Sequence, residues 1–124
     1  MAYEQVVEGL QIAQNAGADL SSKVGFLAKV DTDEDIILAG SGQAVLGVIR
    51  EADVQDRPVT VQCGGFGKVS AGAAFNAGVL LMSDTNGQAV LATSGSYAFG
   101  MAMQAAGGLG EMVSVRLGPY GRVA

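Results

Sequence analysis

The stretch from Val59 to Gly87, VTVQCGGFGKVSAGAAFNAGVLLMSDTNG, decides how the rest of the chain is read. Val59, Val61 and Cys63 alternate with Thr60 and Gln62, the two-residue period that places apolar groups on one face of a sheet and polar groups on the other. Gly64, Gly65 and Gly67 follow as structural turn residues, letting the backbone reverse or bulge before Lys68, Val69 and Ser70. Ser70 stands where an N-cap would, ahead of a helical turn or two over Ala71 to Ala77, and Gly78 stands at its C-terminal stop. Val79 to Met82 reads as a buried strand, and Asp84 to Gly87 as a hairpin turn closed by Asn86-Gly87.

Working outward, the same grammar continues on both sides. Met1 to Leu10 has no turn punctuation, so residues 1–17 are read as an N-terminal arm or edge strand and 18–124 as one β domain. Val24 to Val30, Ile36 to Ala39 and Val45 to Ile49 are further strands, separated by the acidic turn Asp31 to Asp35 and the turn Gly40 to Gly42. Arg50 to Arg57 is a charged connection that ends at Pro58, a residue a strand accepts at its first position. Gly118 to Ala124 is either the last hairpin or a tail.

The second half repeats the first. At an offset of 53, Ala39, Ser41, Gly42, Gly47 and Ala52 face Ala92, Ser94, Gly95, Gly100 and Ala105. After one inserted residue, Val59, Val61, Gly64, Gly67 and Val69 face Val113, Val115, Gly118, Gly121 and Val123. This predicts a pseudo-repeat of residues 36–70 in 89–124. The expected fold is mainly β: a compact single-domain barrel or sandwich of short strands built from two similar modules, with at most one or two short helical turns.

Composition narrows the function. The 124 residues are 49% hydrophobic and 15% charged, with 19 glycines, which suggests apolar surface that a neighbouring copy covers. A net charge of −5 disfavours nucleic acid as a partner. No apolar run is long enough to span a membrane, and the acidic start MAYEQVVEG lacks the basic and apolar regions of a signal peptide, so synthesis in the cytoplasm is expected.

No catalytic or metal-binding set emerges. The chain has no histidine, the commonest general base and metal ligand. Asp31, Asp33 and Asp35 imitate the start of a calcium loop, but Ile36 and Gly42 occupy the places of its glycine and glutamate. GGFGKVS is similar to a phosphate loop, except that Gln62 and Val69 stand where a glycine and a Ser or Thr are needed. Met101 and Met103 read as core methionines, and the single Cys63 as a small hydrophobe. No enzymatic activity, cofactor or metal is expected.

The segments ADLSSKVGFLAKVD (18–31), LAGSGQAVLGVI (38–49), Val59 to Val90 and AFGMAMQAAGGLGEMVSVRLG (98–118) together resemble the small capsid decoration, or cement, proteins of tailed bacteriophages. Val79 departs from the pattern, since relatives often carry an acidic residue after the preceding Ala-Gly. The resemblance implies a virion protein on the outer capsid surface, made in the host cytoplasm, which binds the major capsid protein and bridges neighbouring shell subunits. It also implies a homo-oligomer, a trimer before a dimer. The residues assigned to capsid binding are Tyr3, Glu4, Gln5, Val6 and Val7 of the arm, which would add an edge strand to a shell subunit. The alternative is a carbohydrate-binding or fibre-base recognition module, against which the absence of tryptophan counts.

Overall fold

Short strands of alternating polarity can bury only one face each, so they must be stacked in sheets whose inner faces meet. The computed structural model describes residues 11–124 and contains ten strands, with no helix among the described residues. They are β1 (Gln11–Asn15), β2 (Leu27–Val30), β3 (Ile36–Leu38), β4 (Gly47–Glu51), β5 (Pro58–Gln62), β6 (Gly65–Ser70), β7 (Leu80–Ser83), β8 (Ala89–Leu91), β9 (Tyr97–Ala102) and β10 (Met112–Arg122). Sheet A has the order β1-β5-β4-β2-β3 and sheet B the order β6-β10-β9-β7-β8, all neighbours antiparallel. Each strand of sheet A therefore has its counterpart five places later in sheet B, and the architecture is two similar modules in a sandwich.

The likeness extends to single residues. Gly47 pairs with Ala28 in sheet A and Gly100 with Leu81 in sheet B; Ile49 pairs with Val61, and Ala102 with Val115. The two hairpin turns are built alike too. Asp31 Oδ1 accepts the amide N–H groups of Asp33 and Asp35 at 2.9 Å, and Asp84 Oδ1 accepts those of Asn86 and Gln88 at 2.8 and 2.9 Å. The left-handed position of the second turn is held by Gly87 (φ 79°), but in the first by Glu34 (φ 68°), a conformation that costs a residue with a Cβ about 1–2 kcal/mol.

Each sheet curls until its outer strands meet at a single parallel bridge, Ala16 with Ile36 in one and Ala71 with Ala89 in the other. Neither sheet closes into a barrel, so the sandwich alternative is the one realised. Sheet A wraps its own core of Ala16, Leu20, Ala28, Ile36, Ile49, Val59 and Val61. The core of sheet B, with Val69, Leu81, Phe99, Val113 and Val115, also takes in Leu27 and Val48 from sheet A. Burying those two side chains contributes about 1.5–3 kcal/mol each to holding the modules together. Backbone bonds cross the same boundary: Ser70 N–H to Gly25 O (2.8 Å), Leu27 N–H to Gly87 O (2.7 Å), Gly42 N–H to Ser83 O (2.9 Å) and Tyr97 N–H to Gly42 O (3.0 Å).

The structure corrects several local expectations. Ala71 to Ala77 is not helical. Its backbone is claimed by neighbours instead, with Ala71 N–H on Glu111 O, Gly72 N–H on Ala89 O, and Phe75 exchanging bonds with Ala106. A helix of two turns has little stability of its own to set against four such bonds. Ser70 does not cap it; its buried hydroxyl accepts a bond from the Gln88 amide at 3.0 Å. The glycine run is not a reversal within one sheet. The chain leaves sheet A at Gln62 and enters sheet B at Gly65 (φ 76°), with buried Gly64 at the crossing and Gly67 inside β6. Gln62, expected on a polar face, is buried: its amide donates to Gly64 O at 2.8 Å and Phe66 O at 3.0 Å, while its oxygen accepts from Arg50 at 2.7 Å.

Four variants test these points by denaturant midpoint. Gly47→Ala and Gly100→Ala place a Cβ 2.1 Å from Gln62 O and 2.7 Å from Arg116 O, so each is expected to destabilise by about 2–3 kcal/mol or more. Gln62→Leu strands two carbonyls and is expected to cost about 1–3 kcal/mol. Glu34→Gly relieves the left-handed residue and is expected to stabilise by about 1 kcal/mol. Unchanged midpoints would refute the corresponding contact.

Candidate docking surfaces

Three surface regions of the described domain stand out. At the edge of sheet A, β1 pairs with β5 from Gln11–Gln62 to Asn15–Pro58, and no other strand among the described residues pairs with it along that length. Gln11, Ala13 and Asn15 are exposed while Ile12 and Gln14 are half-buried, the pattern of a strand lying on a sheet margin. The Gln14 side chain donates to the Glu34 carbonyl, which anchors β1 to the first hairpin turn. Tyr3, Glu4, Gln5, Val6 and Val7 lie outside the described residues, just ahead of this strand.

The second region is the outward face of sheet B. Alternation along β6 turns Gly67 and Val69 inward and Phe66 and Lys68 outward. Across β10, Arg116 lies opposite Phe66 and Ser114 opposite Lys68, and Arg116 in turn pairs with Met101 of β9. Met101 is half-buried and Met103 exposed, so these methionines face outward at the margin rather than filling the core. Where this face meets sheet A, Val24, Arg50, Phe66, Lys68, Met112 and Ser114 line an open groove of about 390 Å³. Phe66 is 62% exposed and Val24 51%. The absence of a side chain at Gly25 lets Met112 lie across the groove floor, since a Cβ there would come within 2.5 Å of its methyl. The bond to Gln62 holds the Arg50 guanidinium at the rim.

The third region is acidic. Residues 1–62 carry ten acidic and four basic side chains, a net −6, whereas residues 63–124 carry two and three, a net +1. Much of the negative charge converges on the first hairpin turn and the β4–β5 loop. The Asp35 carboxyl is raised above its ordinary value, first by desolvation and then by the charges of Asp31, Asp33, Asp56 and Glu34. Asp19, by contrast, is lowered by bonds from the Ser21 hydroxyl and amide.

Among the described residues no three His, Cys, Asp or Glu side chains come close enough to hold a metal ion. Partial burial raises the Cys63 thiol, the opposite of what a nucleophile needs. A crevice of about 280 Å³ between the sheets, lined by Val45, Leu46, Cys63, Tyr97, Phe99 and Leu117 among others, has no charged group in its wall. Of the glycines expected at turns, Gly65 (φ 76°), Gly78 (φ 84°) and Gly87 (φ 79°) have left-handed backbones, Gly65 where β6 begins; Gly64 lies at the crossing and Gly67 inside β6. Sequence reading passed over Phe66 because the flanking glycines spelled a turn. The signal was the outward pair Phe66 and Lys68 interleaved with Gly65, Gly67 and Val69.

Comparison with known proteins agrees with this picture. No curated protein matches the chain. Among solved structures, the N base of the head fibre gp8.5 of bacteriophage phi29 superposes with a TM-score of 0.67 at 19% identity, covering 92% of this chain and 97% of that one, which shows a shared fold. The model of the phage cement protein family matches residues 7–117, nearly the whole ten-strand domain, and the chain therefore belongs to that family.

Proposed function

We propose that this virion structural protein coats the outer surface of an assembled phage capsid and stabilises it by bridging neighbouring subunits of the major capsid protein. The observation that carries the reading is the family match over 7–117, laid on a domain whose described residues offer docking surfaces and no cluster of metal-ligating side chains. Bridging suits such a scaffold, because many modest contacts per shell add through multivalency without any one being tight. A homotrimer is the preferred assembly and a dimer the second.

The arm is the proposed capsid-binding element. Residues Tyr3 to Val7 precede β1, which lies at the margin of sheet A and pairs on one side only among the described strands. A chain entering the domain there can continue the strand into a shell subunit's sheet, gaining backbone hydrogen bonds with little demand on side-chain identity. A second reading is favoured by one observation, the likeness to a head-fibre base: the domain would then be a pedestal for an outward-reaching recognition element.

Deleting Met1–Glu8 is expected to abolish co-sedimentation with expanded shells that lack the protein, while the thermal midpoint of the domain stays within about 1–2 °C of the full chain. Undiminished binding by the truncated chain would remove the arm from the mechanism. Failure of the full chain to bind either expanded or unexpanded shells would favour the pedestal.

A further inference from the structure

We propose that the groove on sheet B is occupied by the acidic end of a second copy of this chain, so that the protein assembles head to tail. Phe66, Lys68 and Met112 of one copy would meet the Asp31–Asp35 hairpin turn of the next. The proposal deepens the multi-copy part of the shell-coating reading and rests on it.

The groove has the composition of a contact. Phe66, Val24 and Met112 surround one depression and are 62, 51 and 45% exposed, an unusual concentration of large apolar groups outside a core. Its rim is cationic, with Arg50 and Lys68 lining it and Arg116 paired across the ladder from Phe66. Among the described residues the one ion pair is Arg57 with Asp53 at 3.7 Å, so neither Lys68 nor Arg116 pairs with a described acidic residue of its own copy.

Charge decides what fits. Two copies of the groove facing each other across a two-fold axis would bring Lys68 and Arg50 against their own images, a like-charge contact that costs free energy. The counterpart must be acidic, and the chain carries one. The hairpin turn places Asp31, Asp33, Glu34 and Asp35 in sequence, with Asp56 near enough to act on Asp35. Their mutual repulsion is relieved when a cationic rim docks over them. Because the two patches share no residue, the contact is heterologous, and copies joined this way close into a ring or run on as a filament.

Sedimentation velocity of the full chain tests this directly. Assembly is expected at about 0.01 M salt and to weaken at about 1 M, as the screening length falls from about 30 to about 3 Å. Phe66→Asp, at an exposed strand position, is expected to weaken it roughly tenfold or more, and Leu109→Asp, exposed outside the groove, to leave it unchanged. Mixing Phe66→Asp with a variant carrying Asp33→Asn and Glu34→Gln is expected to stop at pairs, since only one sound contact can form between them. A chain that stays monomeric at all concentrations, or Phe66→Asp assembling as well as the parent, overturns the proposal. If Phe66→Asp assembles normally but no longer co-sediments with shells, the groove is a capsid contact: self-docking fails while the coating function stands.

Discussion

The fold depends on one buried amide. Gln62 sits at the last position of sheet A, and its side chain reaches over the crossing to hold the carbonyls of Gly64 and Phe66 while accepting a bond from Arg50. Two residues separate β5 from β6, too few for a loop that could choose its direction. With those carbonyls fixed, β6 enters sheet B beside β10, Gly67 meets Val48 and Leu117, and the second module is set against the first. A buried amide is costly unless satisfied, and here both its donor and acceptor groups are used. The same residue that fixes the core junction also fixes the rim of the surface groove, through Arg50.

The two sheets are alike in the interior and differ at the surface. The two sheets repeat strand order, register, close-approach glycines at Gly47 and Gly100, and the aspartate-anchored hairpin turn. Inward positions are bound by packing and accept few side chains. Outward positions are not so bound, and there the modules have parted: the first turn carries five consecutive residues with four acids, the second a single Asp84. The result is a small domain with a strong internal charge asymmetry, a property that orients it in the field of any charged neighbour.

Much of this architecture was legible in the sequence, and for a physical reason. Period-two alternation in Val59–Cys63 and the Asn-Gly turn at 86–87 are local signals. The offset of 53 joins Gly47 to Gly100, which hold like ladder positions in the two sheets, whereas Gly67 and Val69 lie in β6, the counterpart of β1 and not of the end of β10. What stayed hidden depends on distant partners. Ala71 to Ala77 has helical composition, but Glu111, Ala89 and Ala106 claim its backbone. Phe66 sits among glycines whose turn-like composition masks a strand, and the groove needs Val24 and Met112, nearly ninety residues apart, brought together through the gap at Gly25. No local pattern announces such a site.

The antiparallel ladder of β1 with β5 has a mechanical meaning. Five residue pairs join the two strands, from Gln11–Gln62 to Asn15–Pro58. Tension delivered through residue 11 along the strand axis loads all five pairs in shear, so they must fail together. Tension delivered at right angles peels them one after another from the Gln11 end. A tether attached ahead of β1 is thus strong in the plane of sheet A and weak across it, and its orientation on a surface under pressure sets how much load the domain can bear.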